Sequence, residues 1–180
     1  MDAFSEKERL NFERQSSIFL ETISKEDGRY RLIHDIVAEG SCQNVIDLGC
    51  GKGRYLKNLI EDYPNVNYYA IDISDSVIRK IDFIKDKRTG SLTNIPYQDN
   101  MFDLVYVCEA YEHAIDQRNA FSEMYRTTAP GGKIIVIDKP VEKLGKLKLD
   151  EAEQWVSDDD IKACSCKSTN HRIRTISRKG

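Results

Sequence analysis

Between Val45 and Arg54 the chain reads Val-Ile-Asp-Leu-Gly-Cys-Gly-Lys-Gly-Arg, a short apolar run that breaks into glycines at alternate positions. Such a run, closed by glycines, predicts a buried strand that turns sharply into a helix. Glycine at every second position lets a ligand approach the main chain where side chains would block it. The amides of such a loop are expected to face outward near the helix N-terminus. The spacing excludes two common uses. A phosphate-binding P-loop needs Gly-Lys followed by Ser or Thr, and here Gly51-Lys52 is followed by Gly53. A dinucleotide fingerprint needs a third glycine where this chain has Arg54, which disfavours nicotinamide and flavin cofactors.

The rest of the chain alternates between strand and helix patterns. Tyr68-Tyr69-Ala70-Ile71 predicts a second strand ending at Asp72, and Ser74 is placed to cap a helix carrying Val77, Ile81 and Ile84. A third strand is expected near Arg88 to Leu92, where the apolar signal is poor, and Leu104 to Val107 reads as a fourth. Ala120, Phe121, Met124 and Tyr125 mark a helix stopped by Pro130-Gly131-Gly132, and Ile134 to Ile137 reads as a fifth strand. This order predicts an α/β fold, a doubly wound and mostly parallel sheet with helices on both faces. Near-continuous apolar strands agree, because they are buried on both sides. Right-handed crossovers then gather the strand C-terminal ends along one edge, where ligands bind.

Asp72 lies 21 residues beyond Gly51 and closes the second strand, so it can accept hydrogen bonds from a ribose diol, or else cap the next helix. Asn44 to Pro140 resembles the class I S-adenosylmethionine-dependent methyltransferases, in particular their type 11 group. The resemblance rests on "VIDLGCGKG", "YYAIDIS", "TGSLTNIPYQDNMFDLVYVCEAYEH" and "RTTAPGGKIIVID", in that order. It implies S-adenosylmethionine as cofactor. Asp47, Gly49, Cys50 and Gly51 would hold the methionine end, Asp72 the ribose, and Ile73 the adenine. Glu109 would lie near the sulfonium and His113 at the mouth of the acceptor pocket. Where relatives often carry an acid after Gly90 this chain has Ser91, so adenine would be held by Ser91 or by the Leu92 amide. The C-terminal part is shorter than in relatives, so the final hairpin and the substrate lid are open questions.

His113 is the first candidate for a general base, since histidine changes charge near neutral pH; a structural role in capping or backbone bonding is the competing reading. Glu109 is a second candidate and Glu112 a third. Tyr30 and Tyr111 are expected either to wall the acceptor pocket or to have a core or surface role. The acceptor is expected to be a small molecule, a sugar or other metabolite; alternatives are an RNA or protein methyltransferase or a non-catalytic partner subunit. Nucleic acid is not an expected partner, because the net charge is −3 and the six Lys or Arg after Ile161 read as a solvated face.

With 180 residues the chain is expected to form one domain: a helical cap over 1–40, a cofactor-binding core over 41–140 and a substrate-side region over 141–180. The scattered aromatics of the first 28 residues are expected to close over the cofactor. No apolar run is long enough for a membrane span, and the charged N-terminus lacks a secretory pattern, so a cytoplasmic location is expected. Five scattered cysteines read as free thiols. Cys164, Cys166 and His171 lack the usual zinc-ligand spacing, so no metal site is expected.

Overall fold

The computed structural model describes Leu10, Arg14, residues 21–138, and the backbone of Ile161–Ala163 and Arg172–Ser177. Helix α1 (Gly28–Ala38) precedes strand β1 (Asn44–Leu48), helix α2 (Arg54–Asp62) and strand β2 (Asn67–Asp72). The short helix α3 (Asp75–Ile78) and edge strand β3 (Asp86–Thr89) follow. Strand β4 (Phe102–Cys108) runs into a 3-10 turn at Tyr111–His113, then helix α4 (Gln117–Thr127) and strand β5 (Thr128–Asp138). Strands β6 (Ile161–Ala163) and β7 (Arg172–Ser177) complete a sheet of order β3-β2-β1-β4-β5-β7-β6. The first five strands are parallel; β7 runs antiparallel to both β5 and β6, so the open question of a final hairpin resolves into a paired β6 and β7. The strand order reverses between β1 and β4, and at such a reversal two loops diverge and leave a crevice.

Alternate residues of each strand feed opposite faces. Val45, Ala70, Leu104 and Tyr106 pack with Tyr30, Ile33 and Val37 of α1 and with Leu56 and Leu59 of α2. Ile46, Leu48, Val105 and Val107 pack with Ala120 and Met124 of α4 and with Ile95 and Tyr111. Fully burying a Leu or Ile stabilises by about 1.5–3 kcal/mol. Both layers are therefore needed, and the sheet is held rigid beneath the crevice. Among the described residues no helix is long and apolar enough to cross a membrane.

Three sequence expectations change and one open alternative is resolved. The third strand starts at Asp86, upstream of the expected Arg88, because it is an exposed edge whose polar residues carry no burial pattern. Helix α3 stops at Ile78, and Ser74 stands at its N-cap position without a side-chain cap bond; Ile81 and Ile84 still enter the core, from irregular chain. Pro130-Gly131-Gly132 lies inside β5 and does not end a helix. Helix α4 has already ended at Thr127, where the Thr127 and Thr128 hydroxyls donate to its last carbonyls. The register between β4 and β5 then shifts from Phe102–Thr128 to Leu104–Lys133, so the Pro-Gly-Gly run is a bulge. Finally, Tyr30 and Tyr111 are both core residues: their hydroxyls donate to Asp62 Oδ2 and to the Gln117 carbonyl, at 2.7 Å each.

Candidate active site

A cavity opens at the C-terminal ends of β1, β2 and β4. Its wall includes Asp47, Gly49, Cys50 and Gly51 from the first loop, then Asp72 and Ile73 from the second. Gly90, Ser91 and Leu92 bound one end, and Glu109, Ala110 and His113 are part of the wall after β4. The residues expected to hold the cofactor, together with His113, therefore lie on one cavity, whereas Glu112, Tyr30 and Tyr111 are not part of its wall.

Main chain builds the centre of this wall. Gly51 N–H donates to Asp72 Oδ2 at 2.8 Å, and Ser74 N–H donates to Asp72 Oδ1 at 2.9 Å. A carboxylate has about four lone-pair positions, so these bonds leave acceptor capacity for ligand hydroxyls. Asp72 thus orders the start of α3 while also lining the cavity. Burial pushes its carboxyl up, and the Ser74, Gly51 and Ile73 amides oppose that shift. The outward-facing amides expected of the glycine loop are not found. Gly49 N–H and Cys50 N–H both donate to the Ile71 carbonyl, at 2.8 and 3.0 Å. Gly51 N–H is committed to Asp72. The loop contributes space, not an anion cradle. A Cβ on Gly49 would come within 2.5 Å of the Ala110 Cβ. At Gly51 φ is +53° and a Cβ would meet nothing within 4 Å, so only the backbone conformation demands glycine there.

Asp47 is 2% exposed and its Oδ2 has no hydrogen-bond partner. Burial pushes its carboxyl up to about 7, with the neighbouring Tyr106 hydroxyl and then the Arg54 guanidinium acting in the opposite direction. The buried Tyr106 hydroxyl lies near enough to feel its charge, but without hydrogen-bond geometry. The Cys50 thiol is pushed up by burial and points at the Gly51 carbonyl, with Sγ–O 3.6 Å. Ser91 is buried, and its Oγ already accepts Thr93 N–H at 3.1 Å.

Side chains build the far end. Glu109 has a left-handed backbone, φ +57°, and its N–H donates to the Ile137 carbonyl at 2.8 Å. A non-glycine residue there stores strain that concentrates at functional sites. Two guanidiniums converge on its Oε2: Arg54 Nη2 at 2.6 Å and Arg29 Nη1 at 3.1 Å. Sequence reasoning missed both partners. Arg54 counted only as a failed third glycine, and Arg29 lies 80 positions from Glu109 with no local signal. His113 is 38% exposed, with Nε2 3.4 Å from Glu112 Oε1. Glu112 N–H donates to the buried Asp138 Oδ2 at 2.7 Å, which ties this turn to the end of β5.

Residues 46–136 match the family described as methyltransferase domain, type 11, over half of the chain. The chain belongs to that family. Its members use S-adenosylmethionine as cofactor, and the cavity fits that molecule: the Asp72 carboxylate on its wall, the buried Asp47 whose Oδ2 has no hydrogen-bond partner, and a turn whose glycines present no side chain. The chain is 28% identical to norajmaline N-methyltransferase of Rauvolfia serpentina, over 71% of this chain and 49% of that one. It is 29% identical to demethylmenaquinone methyltransferase of Paenarthrobacter aurescens, over 60% of this chain and 43% of that one. The chain thus spans half or less of these relatives' length. A methyltransferase structure from Aquifex aeolicus superposes with a TM-score of 0.61 over 97% of each chain, at 16% identity, which is a likeness of fold.

Proposed function

We propose that the protein transfers the methyl group of S-adenosylmethionine to a small-molecule acceptor by direct in-line attack. The observation that carries this reading is the hydrogen bond between Gly51 N–H and Asp72, which joins the glycine turn and the acid at one cavity wall. When bound, S-adenosylmethionine supplies an electrophilic methyl on a sulfonium. Asp72 accepts the two ribose hydroxyls with its remaining lone pairs, and Ile73 packs on the adenine. The Ser91 hydroxyl already accepts the Thr93 amide in its own turn, which favours the Leu92 amide as the donor for adenine. Asp47 faces the methionine ammonium. Glu109 stands beside the sulfonium, and His113, at the partly exposed rim, accepts a proton from the acceptor as it attacks. Alignment of such reactants supplies about 7–11 kcal/mol of barrier lowering.

Several features support a small acceptor. The N-methyltransferase and demethylmenaquinone methyltransferase relatives carry small-molecule names. The net charge of −3 provides no general attraction to nucleic acid. The test is calorimetry with S-adenosylmethionine on the intact chain, followed by transfer of labelled methyl to a panel of small hydroxyl, amine and carbon acceptors. Micromolar binding with transfer supports the reading. Binding without transfer to any panel member, but with transfer to RNA or protein, replaces the acceptor class. No binding at all favours a non-catalytic partner subunit.

A further inference from the structure

Resting on the reading that Glu109 faces the sulfonium, we propose that Arg29 is a positioning residue that sets the charge shown to the cofactor's sulfur, and so the discrimination between the sulfonium donor and its thioether product. Arg29 sits in the first turn of α1, and no part of it lines the cavity. Its guanidinium is held in a fork: Nε donates to Asp27 Oδ1 at 2.9 Å and Nη2 to Asp27 Oδ2 at 2.7 Å. Asp27 is itself fixed, because it caps α1 by accepting Arg29 N–H at 2.9 Å. The remaining nitrogen, Nη1, reaches Glu109 Oε2 at 3.1 Å. Arg54, anchored at the start of α2, meets the same oxygen.

The side chains of Arg29, Arg54 and Glu109 are only 14–16% exposed. Charges at that depth are screened less than surface pairs. Their balance is therefore felt across the adjoining cavity. Glu109 alone would hold a sulfonium strongly and a neutral sulfur weakly. Two guanidiniums on its Oε2 offset that preference, and one of them comes from an element that does not line the site. Donor and product differ by one methyl and its positive charge, so their affinity ratio isolates this effect from the shared nucleoside and amino-acid contacts.

The experiment measures the dissociation constants of S-adenosylmethionine and S-adenosylhomocysteine by calorimetry. The proteins are the full chain, Arg29→Met (which keeps the aliphatic stem), Arg29→Lys and Glu109→Gln. In Arg29→Met the ratio of product to donor constants should rise about threefold to tenfold, equivalent to ~0.7–1.4 kcal/mol. Arg29→Lys should stay within about twofold of the parent. Glu109→Gln, which alters the same pair from its other member, should lower the ratio; that measurement decides if Arg29→Met does not fold. An unchanged ratio in Arg29→Met, or in Glu109→Gln where Arg29→Met does not fold, would make the network purely structural and overturn the proposal. Failure of the parent chain to bind either ligand would overturn the cofactor reading itself, and this inference with it.

Discussion

The Asp72 end of the cavity is fastened by main chain, whereas the Glu109 end is fastened by charged side chains from distant helices. At the first end, Gly49, Cys50 and Gly51 spend their amides on β2 and its terminal acid. The geometry there follows from strand pairing between β1 and β2, with Leu48 opposite Ile71. At the second end, a strained backbone presents Glu109, and α1 and α2 converge on its carboxylate. The difference teaches that one wall is fixed by the sheet and tolerates little change, while the other is set by charge balance and can be retuned without refolding.

The sharpest way to break this comparison is Gly49→Ala. The new Cβ meets Ala110 at 2.5 Å, on a backbone with φ +70°. We expect ~2–4 kcal/mol of destabilisation and a loss of cofactor binding of at least about 100-fold, read by thermal melting and calorimetry. Adding Ala110→Gly should restore part of the stability by relieving the clash but not the backbone strain. A variant with unaltered melting and affinity would show that the first wall is not rigid.

Asp72→Ala comes next. It removes the acceptor for the Gly51 and Ser74 amides as well as for the ligand. Cofactor affinity should fall ~100-fold, since hydrogen bonds to a charged group contribute about 1.5–3 kcal/mol each. Asp72→Asn should lose less. Equal affinity in all three proteins would remove the ribose assignment.

Asp47 sharpens the contrast through pH. Its carboxyl is raised from 3.8 to about 7 by burial, so between these values the folded chain holds a proton that the unfolded chain has released. The stability from this group is fully present below pH 3.8 and is lost as pH rises through about 7. Asp47→Asn should therefore gain on the parent by up to a few kcal/mol between pH 4 and pH 8 in chemical denaturation. Parallel stability curves for the two proteins would refute it.

The smallest effect belongs to Tyr30→Phe, which removes the 2.7 Å bond to Asp62 in the helical layer, away from the cavity wall. About 1 kcal/mol of stability should be lost with cofactor affinity unchanged. A drop in affinity would mean that α1 packing, and not only the Arg29 charge, is coupled to the site.

Much of the Asp72 end was legible in the sequence, because its determinants are local. The apolar run Val45–Leu48, the glycines after it and the acid closing β2 are read within short windows, and the parallel pairing of β1 with β2 brings them together. The edge strand β3 and the bulge in β5 were less legible. An exposed edge has no burial pattern to read, and Pro-Gly-Gly marks a break in regular structure without saying which kind. The outward-facing amides of the loop were misread for a related reason: the sequence cannot tell which carbonyl a turn will meet, and here it was that of Ile71.

The order of strands and helices, the alternation that buries both sheet faces, and the placing of the glycine turn beside Asp72 were determined by the sequence alone, through periodicity and short-range sterics. Only the tertiary structure could put Arg29 and Arg54 on one oxygen of Glu109, send Tyr30 and Tyr111 into the core, and leave the Asp47 carboxylate oxygen buried without a partner. The reason is physical. Periodicity reports which face of an element is buried, but a charge finds its partner by proximity in space, and residues 55 and 80 positions apart become neighbours only once the sheet has formed.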